Sequence, residues 1–376
     1  MKKALLLFLF CANAFAGQDI PQPPHVDARS YVVLDLASGQ TIASRGADER
    51  IAPASLTKLM TAYLVFDALK QKKIKPDEKL KVSDKALHAE GSKMFLNPGK
   101  SATVKELVRG MIIEGGNDAA VALAEGVAGS EKDFVDMMNK EAQRLGMSNT
   151  HFTNSTGLPE SEHYSTARDI ALLSASLIID FPDQYPVFSA KEYTWNGITQ
   201  PNRNRLLWMD PYADGLMTGH SEDSGYCLAA SVRRDRRRLI SVLAGAHSDS
   251  GRAIESEKLL NYALQYYVAV RLYAKGQTVT TLRVWKGKKN TLKAGFLSDL
   301  YVTVPRGEEA GLKAVVEAQQ PLVVPVLAGQ QVGTLKVSLD GKRFADYPIV
   351  SLENVSPANL IGRAWDSLKL LLNGKP

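Results

Sequence analysis

The residue pattern of the chain changes near residue 270, and that change most limits what the chain can fold into. Residues 270–352 are β-branched, turn-rich and almost free of helical periodicity. Within them, Tyr301-Val302-Thr303-Val304-Pro305-Arg306-Gly307 and Gly333-Thr334-Leu335-Lys336-Val337-Ser338-Leu339-Asp340-Gly341 alternate as half-buried strands do. The expectation is a small all-β domain of sandwich type. Upstream, the two periodicities mix. Residues 31–36 and 41–44 flank the turn Ala37-Ser38-Gly39-Gln40 and predict a hairpin. Helical patterns cover residues 104–129, broken at Glu114-Gly115-Gly116-Asn117-Asp118, then 131–145 and 166–180. Residues 226–233 and 238–246 read as strands, and 253–267 as an amphipathic helix. Strands at both ends with helices between them predict one α/β unit whose sheet is completed by distant segments.

The two ends of the chain add targeting expectations. Residues 1–16 carry Lys2 and Lys3, an apolar run, and Ala14-Phe15-Ala16 as a small-x-small cleavage site. They predict a secretory signal peptide and an exported protein. Residues 17–26 are polar and proline-rich, a linker. After Pro357, Leu360, Ile361, Ala364, Trp365, Leu368, Leu371 and Leu372 recur at helical spacing. That predicts an amphipathic helix lying in a membrane interface, the alternative being a helix docked on the β domain. The expected division is 1–16 signal peptide, 17–268 α/β domain, 269–353 β domain and 354–376 amphipathic helix.

Composition excludes some function classes. Dropping Lys2 and Lys3 from a net charge of +6 leaves about +4, too mild to point to nucleic acid. The densest basic run, Arg233-Arg234-Asp235-Arg236-Arg237-Arg238, is flanked by apolar strands and reads as a solvated turn. Removal of the signal peptide leaves Cys227 as the one cysteine, so no internal disulfide can form. The six histidines lack metal-ligand spacing.

Chemistry concentrates at Ser55-Leu56-Thr57-Lys58. Ser55 is the only serine in the chain followed three residues later by lysine. Pro53 suits a helix start, and on a helix positions i and i+3 share a face, so the hydroxyl and the amine can meet. A serine hydroxyl needs a base to take its proton, and a lysine stripped of water has a lowered pKa that lets it serve.

The company this motif keeps resembles the low-molecular-mass penicillin-binding proteins, the serine-type D-alanyl-D-alanine carboxypeptidases. The resemblance runs through Pro53-Ala54-Ser55-Leu56-Thr57-Lys58, Met94-Phe95-Leu96, Gly116-Asn117-Asp118-Ala119, Asn149-Thr150-His151-Phe152, Asn202-Arg203-Asn204, Asp214-Gly215 and Thr218-Gly219-His220. It continues into the β domain and the tail. It implies a transpeptidase-like α/β domain, with an antiparallel sheet flanked by helices, followed by the β-sandwich domain and the C-terminal helix. It also implies a reaction without metal or cofactor. The serine attacks the peptide bond between the two D-alanines of a peptidoglycan stem pentapeptide, and β-lactam antibiotics trap that serine. The implied roles are Ser55 as nucleophile, Lys58 as base, and Asn117 as holder of the substrate amide and of Lys58. Thr218, Gly219 and His220 lie on the carboxylate side, with an N–H near His220 joining that of Ser55 in the oxyanion hole. Arg252 stands near the carboxylate, its alternative being an ordinary surface arginine.

Two family motifs are altered. Gly115-Gly116-Asn117 stands where the family has Ser-Gly-Asn, and Met217-Thr218-Gly219 where it has Lys-Thr-Gly. Gly115 lacks the hydroxyl that passes protons, and Met217 lacks a positive charge. The activity expected is therefore a D-Ala-D-Ala carboxypeptidase impaired at these positions. The alternative is a non-catalytic relative that binds peptidoglycan or a partner through the old cleft. A β-lactamase is a distant third, because no deacylating glutamate motif is recognisable.

Overall fold

The computed structural model describes residues 20–373; the expected signal peptide, residues 1–16, lies outside them. Two compact units form. One comprises Pro23–Arg271 with Tyr301–Thr303, the other Leu272–Leu300 with residues 304 onward.

The first unit is built on a five-stranded antiparallel sheet. Its strands are β1 (Ser30–Asp35), β2 (Thr41–Arg45), β3 (Ala213–Ser221), β4 (Gly225–Arg234) and β5 (Arg237–Ala246), in the spatial order β2-β1-β5-β4-β3. The hairpin expected at the start is the β1–β2 pair, and the strands from either end of the unit meet where β1 pairs with β5. β1 is buried on both faces, as are the centres of β4 and β5, which explains their unbroken apolar runs.

The longer helices of the unit are α1 (Lys58–Lys70), α2 (Asn117–Ala128), α3 (Glu131–Arg144), α4 (Ala167–Asp180) and α5 (Asp249–Tyr266); α4 and α5 pack on the sheet, and α1, α2 and α3 pack on one another. Ser130, Thr166 and Ser248 cap α3, α4 and α5 by accepting from the backbone N–H of Asp133, Asp169 and Gly251. α1 is buried almost all round, so it is the core helix against which α2, α3 and α4 pack.

Two expectations change in detail. Ser55 does not lie in the first turn of the α-helix. It lies in a 3-10 turn, Ala54–Thr57, that feeds into α1. In that tighter coil residues i and i+3 eclipse, which draws Ser55 toward Lys58 more directly than an α-turn would. The basic run is also not wholly solvated. Arg237 pairs with the fully buried Asp35 at 2.7 Å, and Arg238 with Asp214 at 2.6 Å, so these two arginines lock the strand ends while the turn residues between β4 and β5 face water.

The second unit holds a six-stranded sheet in the order Leu312–Ala318, Gln331–Leu339, Lys342–Ser351, Thr291–Gly295, Thr278–Trp285 and Leu322–Val323. Val284, Leu292, Leu335, Val337 and Ile349 form part of its core. Its longest hairpin turns at Asp340-Gly341, both with positive φ, as a two-residue turn between twisted strands requires. The same unit carries α6 (Leu360–Asn373). Leu360, Ile361, Trp365 and Leu371 on this helix are each more than half exposed. No helix among the described residues is long and apolar enough to cross a membrane.

Candidate active site

Ser55, Ser92, Gly115, Arg203, Arg205, Met217, Thr218, Gly219, His220 and Arg252 line one cleft of about 560 Å³ in the first unit. The structure thus gathers most of the positions singled out in the sequence, although they span residues 55–252; Lys58 meets the cleft through Ser55, and Asn117 lies behind its lining.

One wall is α1 and its preceding turn. Lys58 is fully buried, and its Nζ lies 2.8 Å from Ser55 Oγ and 2.8 Å from the backbone oxygen of Thr156. Burial pushes its pKa down to about 7; the Arg203 guanidinium lowers it further and Asp118 opposes the shift. Near neutral pH a large share of Lys58 is therefore the free amine, with a lone pair for the Ser55 proton. The turn is braced from behind. Thr57 Oγ1 meets His163 Nε2 at 2.8 Å, and His163 Nδ1 accepts the Thr153 N–H at 3.0 Å, which assigns the proton to Nε2. Burial pushes His163 down to about 4, so it is a neutral strut. Thr61 Oγ1 donates to Ser155 O at 2.7 Å, fixing the segment that presents the Thr156 carbonyl to Lys58. Ala54, just before the nucleophile, has φ +47°, a left-handed conformation that costs an L-residue about 1 kcal/mol and is held here by its surroundings.

The second wall is the start of α2 and the segment it clamps. Asn117 does not bond Lys58, contrary to the role implied for it. Its Nδ2 donates to Glu90 O at 2.6 Å and its backbone N–H to Ser92 O at 2.7 Å. The Thr156 carbonyl takes the place beside Lys58 instead. Asn117 Oδ1 is buried without a partner and remains a free acceptor. Asp118 accepts the N–H groups of Met94 and Leu96 at 2.9 and 3.1 Å. Residues 90–96 are thus tied to α2 by a side chain and a backbone amide of Asn117 and by the Asp118 carboxylate. Gly115 has φ +75°, and the nearest atoms to a Cβ there would be Arg203 Nε at 3.6 Å, Arg203 Cδ at 3.8 Å and Ser92 Cβ at 3.9 Å, all at ordinary contact distance. Room for a side chain exists, and the glycine leaves it unfilled.

The third wall is β3, an edge strand whose open side runs along the Ser55 turn. Gly219 permits the approach, because a Cβ there would stand 2.9 Å from Pro53 O. Met217 is only 4% exposed and belongs to the hydrophobic core as well as to the cleft lining. Thr218 is buried, whereas His220 is exposed and its ring lies 4.1 Å from that of Tyr226. Arg252 is no ordinary surface arginine: it is 5% exposed, donates to Gly219 O at 3.0 Å, and pairs with Asp249. Asp249 also pairs with Arg205 at 2.5 Å. Three arginines, Arg203, Arg205 and Arg252, therefore line the same cleft as the uncharged Met217.

Thr156, His163, Ser92 and Arg205 carried no signal in the sequence. Arg203 lay inside a resembling motif, but without a role. Each acts through a contact across at least 23 residues of chain, for which spacing gives no cue.

Comparison with known proteins agrees with this geometry. The family model for D-alanyl-D-alanine carboxypeptidase matches residues 17–248, and that for the penicillin-binding protein 5 C-terminal domain matches residues 267–357. The D-alanyl-D-alanine carboxypeptidase DacC of Escherichia coli K12 is 43% identical over 368 residues, covering 96% of this chain and 92% of that protein. The crystal structure of penicillin-binding protein 5 from Haemophilus influenzae superposes with a TM-score of 0.85 at 39% identity, covering 89% of this chain and 99% of that one. Penicillin-binding protein D2 from Listeria monocytogenes, in its ampicillin-bound form, matches with a TM-score of 0.60 at 30% identity, covering 64% of this chain and 99% of that one.

Proposed function

The chain belongs to the D-alanyl-D-alanine carboxypeptidase family, and from that premise we propose that it removes the terminal D-alanine from peptidoglycan stem pentapeptides through an acyl-Ser55 intermediate. The observation that carries this reading is the 2.8 Å contact between Ser55 Oγ and a fully buried Lys58 whose pKa is pushed down to about 7. Neutral Lys58 takes the Ser55 proton as Oγ attacks the carbonyl between the two D-alanines. The Ser55 N–H and an N–H near His220 on the β3 edge stabilise the oxyanion. On the family pattern Asn117 holds the substrate amide, and Thr218, His220 and Arg252 receive the terminal carboxylate. The C–N bond breaks, D-alanine leaves, and water frees Ser55. β-Lactam antibiotics enter by the same route and acylate Ser55.

Gly115 and Met217 favour a second reading, a cleft that binds stem peptides without turning them over. Assay of D-alanine release from a pentapeptide ending in D-Ala-D-Ala separates the two. Release that vanishes in Ser55→Ala supports the enzyme; binding without release in the native protein supports the second reading.

The expected signal peptide and α6 support an exported protein held on the periplasmic face of the inner membrane. The exposed Leu360, Ile361, Trp365 and Leu371 supply the apolar face. Co-sedimentation of mature protein with anionic lipid vesicles, lost when residues 358–376 are deleted, is the expected result; equal sedimentation of both forms would contradict it.

A further inference from the structure

The absent side chain at position 115 leaves a gap whose nearest neighbours are Arg203 and Ser92. We infer that Ser92 supplies the proton-relay hydroxyl that Gly115 lacks. Ser92 Cβ is 3.9 Å from where a Cβ at 115 would lie, so the Ser92 side chain stands in contact with the space the missing one would fill. Ser92 lines the cleft with Ser55. Its backbone oxygen is fixed by the Asn117 N–H at 2.7 Å, which holds the residue beside the start of α2. Its hydroxyl has no hydrogen-bond partner among the described residues, so it is free to bond to a reacting group. Arg203 completes the gap and projects its charge onto Lys58, which favours proton departure from that amine.

The role rests on the carboxypeptidase reading and balances as follows. In acylation, Ser55 Oγ bonds to the carbonyl carbon and its proton passes to Lys58 Nζ. When the C–N bond breaks, the leaving nitrogen of D-alanine takes the Ser92 hydroxyl proton, and Ser92 recovers one from the Lys58 ammonium. In deacylation, a water oxygen bonds to the acyl carbon. Its proton moves to Ser92 Oγ as the Ser92 proton moves to Lys58. The C–O bond to Ser55 then breaks, and Ser55 Oγ takes the proton from Lys58. Ser92 and Lys58 end as they began, and one water is consumed.

The test is a cycle of Ser92→Ala and Gly115→Ser, read as D-alanine release and as the lifetime of the adduct formed with benzylpenicillin. Ser92→Ala in the native protein should lower kcat about thirtyfold with little change in KM, within the range for one acid–base group. Ser92→Thr should restore most of the rate. In the Gly115→Ser background the same Ser92→Ala change should cost threefold or less, because the second hydroxyl then serves. An equal loss in both backgrounds would overturn the relay and leave Ser92 a positioning residue. Release only by variants carrying Gly115→Ser would also overturn it, while upholding the family reading of the fold. If no variant releases D-alanine but the adduct forms, a longer adduct lifetime in Ser92→Ala upholds the relay and an unchanged lifetime overturns it. Neither release nor adduct in any variant would overturn the enzyme reading, and the relay with it.

Discussion

The wall of the cleft that carries Ser55 and the walls that face it obey different rules. On the Ser55 wall every polar group is placed by a buried contact: Lys58 by Thr156, Thr57 by His163, Thr61 by Ser155. On the facing walls Gly115 and Met217 offer neither hydroxyl nor charge, and the polar groups that line the cleft there come from other elements. Arg203 and Ser92 border the gap at Gly115, and Arg205 and Arg252 converge through Asp249 near Met217. The difference teaches that the nucleophile and its base are built into the core of the unit, whereas the groups handling charge and protons on the far side are exchangeable. A buried α1 cannot change its lysine without losing the base beside Ser55; a cleft rim can swap one cation for another.

The sharpest way to break this comparison is Lys58→Met. It should lower acylation on the order of 10³-fold, since it removes the base. It should also stabilise the protein by about 2 kcal/mol, since it removes the cost of a buried amine. The sign follows from the titration. Unfolded, this lysine holds its proton up to about 10.5, but folded only below about 7, so between those values the unfolded state binds more protons and stability from this group rises with pH. Below that window the penalty is fully present, and there thermal melting should show the largest gain for Lys58→Met. A loss of stability at pH 6 would contradict the buried-base account.

Arg252→Ala comes next. It should raise KM for the pentapeptide about thirtyfold with a smaller change in kcat, the mark of a group that binds the substrate's carboxylate. An unchanged KM would return that task to Arg203 or Arg205. Gly115→Ser should have a smaller effect and the opposite sign. About a tenfold gain in deacylation is expected, at a stability cost near 1 kcal/mol for a side chain at φ +75°. Met217→Lys should destabilise the ligand-free protein, because a 4% exposed position then holds an ammonium among core side chains. Measured by melting, that loss should shrink when an anionic substrate analogue is bound.

Much of the intact wall was legible in the sequence, and much less of the facing one. Ser55 and Lys58 are three residues apart, and a local helical coil alone brings them together. The strands of the sheet announced themselves by apolar runs such as residues 239–244. The 3-10 form of the Ser55 turn was not readable, because it depends on packing against the Thr156 segment and β3. The bond expected from Asn117 to Lys58 is absent for a related reason. The motif of Asn117 places it at the cleft, but which of its neighbours it bonds is decided by residues 90–92, a loop with no pattern of its own. Arg237 and Arg238 looked like solvent-facing charge, since their partners Asp35 and Asp214 lie 202 and 24 residues away.

The central claim is that a neutral Lys58 in the intact wall makes Ser55 a working nucleophile despite the altered walls facing it. Intact-protein mass after mixing with benzylpenicillin, followed in time from pH 5 to 9, tests it most directly. The account predicts a mass gain of one penicillin, absent in Ser55→Ala. The rate should fall about tenfold per unit below pH 7 and level off above it, because only the free amine accepts the proton. A protein that gains no mass at any pH, or gains it equally in Ser55→Ala, would contradict the account.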